Sequence, residues 1–139
     1  MQVFYETVDD ITADAGIRVR AINLRELVCK VLLATFNEIT DIDRVREREV
    51  REVEADGGMP FVLADLINTA LLIRGSDGFV ACRCEPIKIC EKILKVRLFG
   101  ERFNPSVHTS KLVIKAATYH RLEVRKDEGG YFAQVIFDI

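Results

Sequence analysis

Asp138 stands one residue before Ile139, the last residue of the sequence, and closes the run Tyr131-Phe132-Ala133-Gln134-Val135-Ile136-Phe137. That run is apolar on both faces of a strand, which belongs inside a sheet rather than at its edge. A carboxylate in such a setting must be neutralised, protonated or paired, and the α-carboxylate of Ile139 falls beside it. A second group of acids lies near the start: Glu6, Asp9, Asp10 and Asp14 precede the first cation, Arg18. Hard oxygens converging from two segments, with no adjacent Cys or His set, suit Ca²⁺, Mg²⁺ or Mn²⁺ better than zinc. The competing reading makes Asp9 and Asp10 turn residues and Asp138 a surface ion-pair partner. The residues alone leave both readings standing.

Other chemistry is thinner. His108 and His120 are the only histidines, no Gly-x-Ser-x-Gly elbow accompanies them, and both read as sheet-surface residues. Gly57-Gly58 and Gly129-Gly130 are turn pairs, not phosphate loops. The spacing of Cys82, Cys84 and Cys90 is not a zinc spacing. With Cys29 they are expected to be reduced thiols, Cys82 and Cys84 sharing one strand face.

The 139 residues carry a net charge of −2, from 20 basic and 22 acidic side chains. That balance argues against a protein devoted to coating phosphate backbones. It conceals an acidic N-terminal stretch and a basic ribbon of Lys111, Lys115, Arg121, Arg125 and Lys126 against Glu123 alone. No apolar run approaches the roughly twenty residues of a membrane span, and no signal segment is visible, so a cytoplasmic protein without a membrane partner is expected.

Several elements must position these residues. Alternation of Ile17 and Val19 with Arg18 and Arg20 predicts a strand over 14–21. Asn23 reads as an N-cap with Glu26 three residues on, opening an amphipathic helix to about Glu38. Arg44 to Glu54 fits either a solvated helix or an exposed strand. A loop over 56–60 precedes a second helix, Phe61 to Ile73. Strands are expected over Phe79–Cys84, Ile87–Phe99, Leu112–Tyr119, Leu122–Lys126 and Tyr131–Ile139. A hairpin symmetric about Glu128–Gly129 would set Asp138 opposite Tyr119. The expected fold is a single α+β domain over 1–139, an antiparallel-dominated mixed sheet or sandwich with two packed helices.

Three stretches together resemble the archease family. Thr12-Ala13-Asp14-Ala15-Gly16-Ile17 is close to that family's His-Thr-Ala-Asp-Ile-Gly-Ile. Ile114-Lys115-Ala116-Ala117-Thr118-Tyr119-His120-Arg121-Leu122-Glu123-Val124 is similar to its Val-Lys-Ala-Val-Thr-Tyr-His-Gly-Leu-Glu-Val. The ending from Gly129 to Ile139 is the third, and the order and length of the whole chain agree. Ile11 stands where the family has His, Ala15 where it has Ile, and Arg121 where it has Gly.

The resemblance implies a non-enzymatic protein cofactor of the tRNA-splicing RNA ligase, which joins 2′,3′-cyclic or 3′-phosphate ends using GTP and Mn²⁺. Such a cofactor promotes ligase guanylylation and multiple turnover in a transient complex, with RNA contact possible but not required. It implies a divalent cation, Ca²⁺ first and Mg²⁺ or Mn²⁺ as alternatives, held by Asp14, Asp138 and the C-terminal residue Ile139. Lys115 is implied as activity-linked, with Asp9, Asp10, Tyr119 and His120 as accessory candidates. By the same analogy Arg44 to Glu54 is strand. The alternatives are a small metal-dependent phosphoesterase and a general chaperone or RNA-binding adaptor.

Overall fold

The computed structural model describes residues 4–9 and 14–139. In chain order the elements are β1 (Glu6–Thr7), β2 (Ala15–Ala21), α1 (Leu24–Ile39), a short 3₁₀ turn (Ile42–Arg44), β3 (Glu49–Asp56), α2 (Phe61–Asp77), β4 (Phe79–Ile89), β5 (Ile93–Arg102), β6 (Ala116–Ala117), β7 (Glu123–Asp127) and β8 (Gly130–Asp138). Two antiparallel sheets result. One is ordered β1-β2-β8-β6, with β7 also on β8; the other is β3-β5-β4. This is an α+β fold, as the order of elements implied.

Each helix packs on both sheets, so the helices tie the sheets together. α1 begins where the Asn23 side chain accepts from the Glu26 N–H at 2.8 Å, satisfying one of the helix's first free N–H groups. Its Leu27, Val28, Val31, Leu32 and Phe36 are buried. α2 is buried along Val62, Leu63, Ala64, Leu66 and Ile67. It extends four residues past the expected end at Ile73 and stops at Gly78, whose φ of 69° is the left-handed conformation that glycine adopts without a Cβ penalty.

The segment read as ambiguous divides. Residues 49–56 form β3, where Glu49, Arg51 and Val53 alternate against β5, and the stretch before it is a 3₁₀ turn and loop. The expected break between Cys84 and Ile87 is absent. β4 continues to Ile89 through two register irregularities, and the hairpin turn falls at 90–92. Because residues 81 and 83 oppose Gly100 and Phe99, Cys82 is the extra residue of a bulge. The alternation that would have put Cys82 and Cys84 on one face is interrupted there.

Cys84 instead bonds Cys29 of α1, with Cα atoms 5.4 Å apart. The expectation of four reduced thiols is corrected here: α1 crosses β4 closely enough for a disulfide, and only Cys82 and Cys90 are free.

β8 lies inside its sheet, as its apolar faces required. It pairs with β2 along one edge, from Ala15↔Phe137 to Ala21↔Tyr131. On its other edge it pairs with β7 near its start and β6 near its end. β7 and β6 are thus two pieces of one interrupted strand. The expected strand over Leu112–Tyr119 is reduced to Ala116–Ala117.

Candidate functional site

The ladder between β2 and β8 fixes where the two candidate acids stand. Its last pair is Ala15↔Phe137. Continued one step, the same register brings Asp14 opposite Asp138. Both are exposed, and Ile139 beyond them is 39% exposed. Residues opposite one another in an antiparallel pair project to the same face, so two carboxylates from sequence ends 124 positions apart share one corner. The expected burial of this end is corrected: the core stops at Phe137, and Asp138 reaches solvent.

Gly16 makes this approach possible. A Cβ there would lie 2.8 Å from Ile136 Cδ1 and 3.0 Å from the Val135 carbonyl oxygen. A larger residue would require Ile136 Cδ1 to move and its other neighbours to give by a few tenths of an ångström, two residues from each acid.

On the other edge of β8 the pairing is Ala116↔Asp138, and the Lys115 N–H donates to the Asp138 carbonyl at 2.8 Å. Lys115 therefore stands beside Ile139 at the same corner, its side chain exposed. The simple hairpin that set Asp138 opposite Tyr119 is wrong by three residues. The β7–β8 register, Glu123↔Gln134, would have continued to that pairing. A turn over Tyr119–Leu122, closed by the Leu122 N–H on the Tyr119 carbonyl, takes up the difference. Arg121 carries its positive φ of 54°, and the Gln134 side chain donates to its carbonyl at 2.9 Å.

Two α2 residues hold this segment in place, and the sequence reading did not single them out. Asn68 both accepts from the Ala117 N–H, at 2.7 Å, and donates to its carbonyl, at 3.0 Å. Asp65 accepts from the Tyr119 hydroxyl at 2.5 Å, which together with partial burial raises the phenol's pKa. Phe61 lies edge-on to the Tyr119 ring, 4.9 Å between centroids. Two polar side chains three apart in the largely apolar first half of α2 were the available signal.

Of the accessory candidates, Asp9 is exposed and one ladder step from Ala15, on the edge of β2 away from β8. Asp10 lies outside the described residues, as does Ile11. Tyr119 is engaged by Asp65, and His120 is exposed in the turn. Among the described residues no three His, Cys, Asp or Glu side chains form a metal-holding group. The side-chain donors at this corner are two carboxylates, Asp14 and Asp138, with Ile139 adjoining. Both offer hard oxygens, the donor class that Ca²⁺ and Mg²⁺ prefer.

His108 is not the sheet-surface residue expected. It is buried in the loop after β5, its Nδ1 accepting from the Asn104 N–H at 2.8 Å and its Nε2 donating to Glu101 at 2.9 Å. The basic ribbon also disperses. Lys111 bonds the Asn37 carbonyl, Arg125 stacks on Phe132, and Lys126 lies over Tyr131. The turn at 119–122 and the alternation of β7 send these cations to different faces.

The chain matches the Archease protein family (MTH1598/TM1083) over residues 5–139. It belongs to the archease family. It is 35% identical over 133 residues to the protein archease of Pyrococcus abyssi, covering 92% of this chain and 94% of that one. The protein archease of Methanopyrus kandleri is 33% identical over 132 residues, with the same coverage. The solution structure of Methanobacterium thermoautotrophicum protein 1598 superposes with a TM-score of 0.81 at 28% identity, covering 98% of this chain and 99% of that one. The archease motifs therefore sit on a shared fold, and they meet at the corner formed by the ends of β2, β6 and β8.

Proposed function

We propose that this archease is a non-enzymatic activator of a GTP- and Mn²⁺-dependent RNA ligase that joins 3′-phosphate or 2′,3′-cyclic-phosphate ends in tRNA splicing and RNA repair. What supports the reading is the β2–β8 register, which in continuation brings Asp14 opposite Asp138, and the Lys115 N–H bond to the Asp138 carbonyl on the other edge of β8. Asp14, Asp138 and the carboxylate of Ile139 would hold a divalent cation, Ca²⁺ first, with Mg²⁺ or Mn²⁺ as alternatives. Bound there, a cation would supply concentrated positive charge at an exposed corner.

The chain's own residues do the rest. The corner projects from rigid strand ends, so it can enter a partner's cleft at small entropic cost. Lys115 forms no ion pair with any described residue and would meet a phosphate or an acidic ligase group. Exposed apolar side chains surround this region: Val113 at 62%, Tyr119 at 54%, Phe61 at 49% and Leu72 at 73% exposed. The contacts Phe61–Tyr119 and Asn68–Ala117 show α2 running antiparallel to the 115–119 segment, which carries Leu72 toward Lys115. Apolar surface beside a charged tip is the composition of a transient protein interface. Docked there, the corner would order the GTP-binding residues of the ligase and promote its guanylylation.

The phosphoesterase alternative needs a general base, and one of the two histidines, His108, has both ring nitrogens engaged. Guanylylation of the ligase, followed with and without this protein, tests the proposal. Stimulation of rate and of turnover number is expected. Phosphate release from model esters without ligase, and no effect on the ligase, would contradict it.

A further inference from the structure

At the opposite end of β8 the two sheets part and leave an open cleft of about 490 Å³. Its walls come from segments far apart in sequence. Tyr131, Val124 and Lys126 belong to the core-side face of the β7–β8 hairpin, since Lys126↔Tyr131 and Val124↔Ala133 are paired and Ala133 is fully buried. Facing them are Met59 in the loop before α2 and Lys92 in the β4–β5 turn, and Leu24 closes one side. Leu24, Met59, Val124 and Tyr131 pack against the hydrophobic core, so the floor is apolar and fixed.

The cations are distributed unequally. Arg125 lines the cleft but its guanidinium lies 4.1 Å above the Phe132 ring and is paired with Glu123, engagements that belong to the other face of the sheet. Lys92 and Lys126 form no ion pair with any described residue, and Lys126 Nζ lies 5.8 Å over the Tyr131 ring. Among the described residues Glu91 is the only carboxylate lining the cleft. An aromatic ring and apolar floor flanked by two ammonium groups that have no carboxylate partner among the described residues match a flat aromatic group carrying an anion.

We propose that this cleft binds a nucleoside phosphate, free or as the end of an RNA strand, with the base over Tyr131 and Met59 and the phosphate between Lys92 and Lys126. The site lies at the far end of β8 from the acidic corner, and binding there needs no ligase.

Titration of the isolated protein, followed by amide shifts in NMR, tests it with three probes: guanosine 5′-monophosphate, a short 3′-phosphorylated oligoribonucleotide, and inorganic phosphate. Saturable shifts confined to 58–59, 91–92, 124–126 and 131 are expected with the first, the second, or both. Mononucleotide binding assigns the free nucleotide, and binding of the oligonucleotide alone assigns the RNA end. Lys126→Ala should weaken either about tenfold, the usual loss of one charge-assisted contact, and Lys126→Arg should restore it. Tyr131→Leu should weaken nucleotide binding and leave phosphate unchanged. No saturable binding, equal affinity for inorganic phosphate, or unchanged affinity in folded Lys126→Ala would overturn the proposal.

Discussion

Glu101 and Asp138 are both acids at strand ends, yet they are built in opposite ways. Glu101 closes a satisfied network in which Oε2 accepts from the Arg46 N–H at 2.8 Å and from His108, and Oε1 pairs with Arg48 at 3.1 Å. His108, between Glu101 and the Asn104 N–H, has no lone pair or proton left to offer a substrate. Asp14 and Asp138 meet solvent, and no hydrogen bond or ion pair from a described residue engages either carboxylate. A fully bonded ionisable cluster stabilises a loop, whereas two exposed carboxylates without such partners add little to the fold. Burial and partners, not residue type, separate the structural acid from the one proposed to bind a cation.

This contrast predicts which substitutions act on stability alone. The largest stability effect belongs to the Cys29–Cys84 disulfide, which spans 55 residues of sequence. Replacing both cysteines by alanine should cost about 4 kcal/mol, the chain-entropy value for such a loop, read as a lower denaturant midpoint. Stimulation of the ligase by the folded fraction should be unchanged.

His108→Ala comes next. It leaves Glu101 and the Asn104 N–H without their buried partner, which should cost about 2–3 kcal/mol. Chemical denaturation measures the loss, and again the corner should function normally. A loss of stimulation at matched folding would break the contrast.

The same network sets an acid limb of stability. Burial pushes the Glu101 carboxyl up, but the Arg46 N–H, His108 and Arg48 outweigh it and hold it below its ordinary value. The unfolded chain therefore takes up a proton at Glu101 more readily than the folded one. Its contribution is present above the unfolded pKa of about 4.3 and is lost as pH falls through the lower folded value. Denaturation midpoints followed downward from about pH 5 should decline, and Glu101→Gln should flatten that part of the curve.

The smallest effect is at Arg121. Glycine at this left-handed position should be more stable than alanine by about 1 kcal/mol, seen as a difference in melting temperature between the two variants. Equal stability would show that the turn relaxes without strain.

The sequence pattern made some of this legible and not the rest. The Asn23 cap, the apolar stripe of α1 and the central place of β8 follow from local rules of capping and alternation. The acidic corner emerged from the placement of acids and from family motifs, because its geometry depends on a β2–β8 pairing that joins residues more than a hundred positions apart. The three-residue error at Tyr119 arose because a hairpin register cannot report a turn that interrupts the strand beyond it. The Cys29–Cys84 bond and the burial of His108 depend on how α1 crosses β4 and how the loop after β5 folds back, and neither leaves a periodic trace.

The central claim is that the corner of Asp14 and Asp138 is the working end of the protein. Single-turnover ligase guanylylation with Asp138→Ala, compared with the unaltered chain at matched folding, tests it most directly. The expected result is loss of stimulation with the unfolding free energy changed by no more than about 0.5 kcal/mol, as for an exposed side chain. Full stimulation by a folded Asp138→Ala protein would contradict the account.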